Sequence, residues 1–85
     1  MGKTWKKELS IKVGNKTSVK RGLFDYLEIR YTGMPKDDTY SLSFDLYGPN
    51  VYFPIDHKRI EVQKGYLNVL HVNPEEIILE YVKEE

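Results

Sequence analysis

The chain has 85 residues, 13 of them basic and 13 acidic, and it contains no cysteine. A chain of this length predicts one domain over residues 1–85 with a single modest hydrophobic core. The lack of cysteine excludes disulfide bonds and thiolate zinc sites, so packing and strand pairing must stabilise the fold.

The first predicted strand shows apolar residues in alternation with polar and charged ones. Leu9, Ile11 and Val13 share one face, which is typical of a half-buried strand. A three-residue loop over 14–16 would return the chain as a hairpin with Val19 opposite Ile11 on the buried face. A two-residue loop would turn Val19 away from the core, so the sequence favours the three-residue loop.

A second alternating run lies near the middle of the chain. It contains Leu27, Ile29 and Tyr31, which we expect to face the core. Phe24 has the opposite parity to this run, so a bulge or a bend is predicted near Asp25. The strand is therefore expected to begin after a local irregularity.

Residues 40–46 form the cleanest alternation in the chain, and the segment YGPNVYFP follows directly. Pro49 suits the second position of a type I turn, which predicts a four-residue hairpin loop over 48–51. Tyr47 and Tyr52 would then lie side by side on the outer face. A three-residue loop would instead turn Tyr52 inward. The favoured register also pairs the inward-facing residues, Leu46 with Phe53 and Phe44 with Ile55.

The C-terminal segment is compatible with two structures. Asn73, followed by proline and two acidic residues, can cap a helix over 74–85. The rival is a turn over 73–76 between two strands, and the β-branched and aromatic residues that follow favour a strand. Both faces of such a hairpin are partly apolar, so its strands are central or its second face meets something else. This register pairs Val72 with Ile77, Leu70 with Leu79, Leu67 with Val82, and His71 with Ile78.

Short alternating strands separated by turn residues predict the fold class. We expect an all-β, small single-domain antiparallel β-barrel or β-sandwich of six to seven strands. The alternative is an α+β fold with a short C-terminal helix at 74–85. The sequence shows no apolar leader and no long apolar run, so we expect a cytoplasmic protein without a membrane segment.

The sequence offers few residues suited to catalysis. His57 and His71 are its only imidazoles, and neither lies in a motif that joins a nucleophile to a base. His57 and the adjacent Asp56 would point to opposite faces of a strand, so they would not readily bind one metal together. We therefore predict a protein without a catalytic site, a metal or a cofactor.

Binding of another protein is the predicted function. Seven tyrosines and a two-faced apolar C-terminal hairpin supply the residue types found in interfaces. The protein would act as an accessory subunit or a small inhibitor-type protein, and a second copy of the chain is among the expected partners. The candidate contact residues are Tyr47, Tyr52, Leu67, Ile78 and Val82.

Single-stranded nucleic acid is the alternative partner. Residues 1–22 carry seven basic residues against one acidic residue, a net charge of +6, and the rest of the chain carries −6. A single strand requires a basic groove with exposed aromatic residues. The competing explanation is that the two ends of the chain lie side by side and neutralise each other. The candidate contact residues are Trp5, Lys12, Lys16, Lys20 and Arg21.

Overall fold

The computed structural model describes residues 4–20, 26–44, 49–62 and 65–84, and all of its regular elements are β-strands. The predicted all-β class is confirmed, with eight strands among the described residues rather than six or seven. No described segment forms a helix that is long and apolar enough to cross a membrane. The strands are β1 (Thr4–Lys12), β2 (Lys16–Lys20), β3 (Tyr26–Lys36), β4 (Thr39–Phe44), β5 (Asn50–Pro54), β6 (Arg59–Val62), β7 (Gly65–Val72) and β8 (Glu76–Glu84).

The strands form two antiparallel sheets of four. Sheet I has the order β1-β8-β7-β6, and sheet II has the order β2-β3-β4-β5. Strands that follow one another in the chain pair with each other, except where the chain passes between the sheets after β1 and after β5. The last strand, β8, returns to pair with β1. Since the two sheets share no strand pairing, the fold fits the sandwich among the predicted alternatives.

The core lies between the two sheets, where alternate side chains of the strands meet. The predicted inward residues Leu27, Ile29 and Tyr31 of β3 are buried, as are Leu9 and Ile11 of β1. The expected faces of these two strands are therefore confirmed. The remaining buried apolar residues are Val19, Tyr40, Leu42, Ile60, Leu67, Val69, Ile77, Leu79, Tyr81 and Val82.

The predicted hairpin between the first two strands is wrong. β1 pairs with β8 over its whole length, and β2 pairs with β3. Val19 is buried as expected, but it lies opposite Leu27 rather than opposite Ile11. Alternation determines only which face of a strand is buried, and a hairpin and a crossing between sheets can bury the same face.

A sharp corner at Gly14 carries the chain from sheet I to sheet II. Its φ of 85° lies in the left-handed region that glycine adopts readily. The Val13 N–H donates to the Glu75 carbonyl (2.8 Å) in sheet I, and the Gly14 N–H donates to the Tyr31 carbonyl (2.9 Å) in sheet II. Because the chain leaves sheet I here, Val13 is 47% exposed and does not face the core as predicted.

The β4–β5 hairpin keeps the predicted faces in a different register. Phe53 lies opposite Tyr40, six positions from the Leu46 expected, so the predicted pairs Leu46 with Phe53 and Phe44 with Ile55 are wrong. The shift is an even number of residues, and side chains alternate with a period of two. Tyr52 consequently stays on the outer face, whereas residues 45–48 lie outside the described part of the chain.

A β-bulge divides the hairpin of β7 and β8. The predicted pairs Val72 with Ile77 and His71 with Ile78 are confirmed. The register then shifts at Leu70, so Leu79 lies opposite Val69, and Leu67 lies opposite Tyr81 rather than Val82. The extra residue puts Leu67 and Tyr81 into the core and leaves Leu70 50% exposed.

The predicted helical alternative over 74–85 is wrong, although its capping signal is used. The Asn73 Oδ1 accepts the N–H groups of Glu75 and Glu76, each at 2.8 Å. These bonds close the turn into β8, which is a central strand between β1 and β7. On its outer face, Val82 therefore lies between two cross-strand neighbours, Lys6 of β1 and Tyr66 of β7.

The β-bulge predicts that two leucines of β7 contribute differently to the free energy of unfolding. Leu67→Ala should lower the free energy of unfolding by about 2–5 kcal/mol, because it leaves a cavity in the core. Leu70→Ala should change it by less than about 0.5 kcal/mol, because this side chain is half in solvent. Urea unfolding of both variants measures the difference. Equal losses would contradict the bulged register.

Candidate functional site

The two sheets have four edge strands, and they differ in charge. An edge strand presents unpaired backbone N–H and C=O groups, and proteins often discourage unwanted pairing there with charged side chains, lysine above all. β1, β2 and β6 each carry such residues, whereas β5, with the sequence NVYFP, carries none. The charged residues of the other edges are Lys6, Lys7, Glu8 and Lys12 in β1, Lys16 and Lys20 in β2, and Arg59 and Glu61 in β6.

β5 also leaves apolar side chains exposed. Tyr52 is 59% exposed and Val51 is 39% exposed, and consecutive residues point to opposite faces of a strand. Tyr52 lies opposite Ser41 of β4, whose hydroxyl donates to the Gly33 carbonyl (3.2 Å). Because serine is small, the β4 side leaves the ring of Tyr52 uncovered.

The hydrogen bonds to β4 show which backbone groups of β5 point outward. The Ile55 N–H donates to the Asp38 carbonyl (2.7 Å), directly after the end of β5. In an antiparallel ladder the groups of alternate residues point to the partner and away from it. Phe53 therefore bonds to β4, and the N–H and C=O groups of Tyr52 point away from it. Pro54 agrees with this pattern, because its missing N–H falls at an outward position.

The hydrogen bonds of β3 lead independently to the same assignment. The Tyr31 N–H donates to the Asn15 carbonyl (3.2 Å), on the β2 side. The preceding residue, Arg30, therefore directs its backbone groups to β4, where it lies opposite Ser43. Leu42, next to Ser43, must then direct its backbone groups to β5. Among the described strands, β5 pairs only with β4, so its second edge is open.

Three stacked rings hold the C-terminal end of β5. Phe53 stacks on Tyr40 with the ring centroids 5.4 Å apart, and on His57 at 5.3 Å. The Tyr40 hydroxyl donates to the His57 carbonyl. Tyr40 is fully buried, and burial raises the pKa of its hydroxyl to about 12. The open edge is therefore presented by a strand that is fixed to the core.

The structure separates the residues predicted for protein binding. Tyr52 is exposed on sheet II, whereas Ile78 is half-buried on sheet I. Leu67 is fully buried and Val82 is 1% exposed, so neither offers side-chain surface to a partner in the folded chain. Tyr47 lies outside the described residues. Tyr52 is thus the predicted residue that coincides with the open edge.

The residues predicted for nucleic-acid binding are also dispersed. Trp5 and Lys12 are seven positions apart in β1, about 23 Å in an extended strand. Trp5 packs edge-on against Tyr81, with the ring centroids 6.0 Å apart. Lys16 belongs to the other sheet, where its Nζ lies 3.9 Å from Glu28 Oε2. The two remaining candidates are Lys20, which ends β2, and Arg21, which lies outside the described residues.

Both histidines are exposed. His57 stacks on Phe53 as described above, and His71 shares a hydrogen bond with the Asn73 amide (3.0 Å). Within the described ranges, no group of three His, Cys, Asp or Glu side chains is arranged to bind a metal ion.

Comparison with known proteins adds no relative to this description. The chain matches no protein-family model, no curated protein and no solved structure.

Sequence reasoning found Tyr52 but missed Asn50, Val51 and Pro54 as parts of the same edge. The lack of charge in this segment was visible in the sequence, but its significance depends on knowing that β5 is an edge strand.

Removal of the Tyr40 hydroxyl tests the attachment of β5. At neutral pH, Tyr40→Phe should lower the free energy of unfolding by about 0.5–1.5 kcal/mol, because the His57 carbonyl loses its donor. A tyrosine of the unfolded chain ionises near its ordinary pKa of 10, but folded Tyr40 ionises only near 12. Between these pH values, the free energy of unfolding of the wild-type protein should therefore fall by more than that of the variant.

Urea unfolding at intervals from pH 9 to pH 12 measures this effect. The stability difference between the wild-type protein and Tyr40→Phe should shrink as the pH rises. Tyr52→Phe, which removes an exposed hydroxyl, is the matched control. A difference that stays constant up to pH 12 would show that burial does not raise the pKa of Tyr40.

Proposed function

We propose that this protein is a non-catalytic binding module that pairs the open edge of β5 with an extended segment of a second protein chain. The observation that carries the proposal is an uncharged edge strand with outward backbone groups and exposed apolar side chains. Strand addition of this kind gains affinity from main-chain hydrogen bonds and specificity from alternate side chains.

Each part of β5 has a role in this mode of binding. Asn50 and Tyr52 would supply outward N–H and C=O groups to the added strand. Tyr52 and Val51 would contact its side chains on opposite faces, and tyrosine is among the residues enriched in binding interfaces. Pro54 lacks an N–H and would limit the length of the pairing at its own end.

Single-stranded nucleic acid has less support as the partner. Lys12 and Lys16 belong to different sheets, and Lys16 lies close to the carboxylate of Glu28. A single strand is bound by a continuous basic groove with stacking residues. The described candidates lie on edge strands of two different sheets, which is why this partner has less support.

Affinity capture from the native host tests the proposal with three baits. The wild-type protein should retain a partner that Tyr52→Lys loses, because the variant places a charge on the open edge. Ser18→Lys is the matched control, since it adds the same charge on the outer face of the other edge strand of sheet II. Far-ultraviolet circular dichroism should show that both variants are folded.

The outcomes of the capture experiment separate the two functions. A partner that Tyr52→Lys loses and Ser18→Lys keeps would support binding through β5. Identical proteins on all three baits would contradict it. Capture that nuclease treatment abolishes, and that weakens steeply with salt, would favour nucleic acid instead.

A further inference from the structure

We infer that the partner at the β5 edge is a second copy of this chain, with the two β5 strands antiparallel about a twofold axis at Tyr52. This inference rests on the proposed function and names the occupant of the same edge. It would join sheet II of each copy into one continuous sheet across the axis.

The outward backbone groups of β5 are complementary to themselves in this register. Tyr52 of each copy would donate its N–H to the Tyr52 carbonyl of the other copy. Asn50 would donate its N–H to the Pro54 carbonyl at each end of the pairing. Pro54 then sits at the margin, where its missing N–H leaves only the Asn50 carbonyl without a donor. An axis at Pro54 would instead place two residues without N–H groups opposite each other.

The side chains favour the same axis. With Tyr52 on the axis, all five residues of β5 lie opposite residues of the other β5. Val51 of one copy would then face Phe53 of the other, so each exposed Val51 side chain gains an apolar cross-strand neighbour. An axis at Val51 would instead leave Phe53 opposite Pro49, outside the strand.

Charge allows self-pairing at β5 and opposes it at the other edge of the same sheet. β5 carries no charged residue, so two copies meet there without like-charge repulsion. A twofold axis at Ser18 of β2 would bring Lys16 of one copy opposite Lys20 of the other. Like charges directly opposite each other in a sheet are destabilising.

Sedimentation equilibrium of the full chain tests the inference. The wild-type protein should shift from monomer to dimer as its concentration rises to about 1 mM, a range chosen because small interfaces bind weakly. Residue 52 would face itself across the axis, with the two Cα atoms about 5.5 Å apart. Tyr52→Lys alone and Tyr52→Glu alone should therefore both remain monomeric through repulsion.

An equal mixture of the two charged variants gives the decisive result. Lysine of one copy would face glutamate of the other, so the mixture should form a heterodimer that weakens as salt is added. A folded wild-type protein that is monomeric at all concentrations would overturn the inference. So would a mixture that associates no better than either variant alone, since any dimer would then form elsewhere.

The two proposals fail in different ways. A monomeric wild-type protein that still captures a partner through Tyr52 would leave strand addition intact and exclude self-pairing. If no contact depends on Tyr52, either in the capture experiment or in sedimentation, both proposals are overturned.

Discussion

A backbone amide in a β-sheet needs a hydrogen-bond partner on one side of its strand or the other, and an open sheet always leaves two strands with unpaired groups. This constraint governs the whole molecule. Two sheets of four strands leave four edges. Charged residues occur in three of them, whereas β5 has Asn50 at one end, Pro54 at the other and apolar or aromatic residues between. In a chain of zero net charge, the distribution of charged residues thus leaves β5 as the edge strand without any.

Buried tyrosines of sheet II donate hydrogen bonds to a turn of sheet I and to the segment that crosses between the sheets. The Tyr31 hydroxyl of β3 donates to the Asn73 carbonyl in the turn between β7 and β8. The Tyr40 hydroxyl of β4 donates to the His57 carbonyl between β5 and β6. Tyr31, Tyr40 and Tyr81 are fully buried. These three of the seven tyrosines that suggest an interface in the sequence therefore serve the core, whereas Tyr52 and Tyr26 are exposed.

Alternation predicted the buried faces of the strands, but it did not predict their partners. Leu27, Ile29 and Tyr31 face the core as expected, because side-chain direction depends only on local parity. The partner of β1 depends on where Gly14 sends the chain, and a glycine turn suits a hairpin and a corner between sheets equally well. The bulge at Leu70 escaped prediction for a similar reason, since apolar residues of both parities occur in β7. For the site, Tyr52 was predictable as an outward residue, whereas the open edge became visible only when the strand order was known.

Amide hydrogen exchange, measured residue by residue by NMR, tests the open edge of β5 most directly. In dilute solution the Val51 and Phe53 amides should be protected by their bonds to β4, whereas the Tyr52 amide should exchange rapidly. Protection of the Tyr52 amide should then appear as the protein concentration rises. A Tyr52 amide that is protected as strongly as that of Val51 in the dilute monomer would show that the edge is already paired within the chain, and would contradict the account.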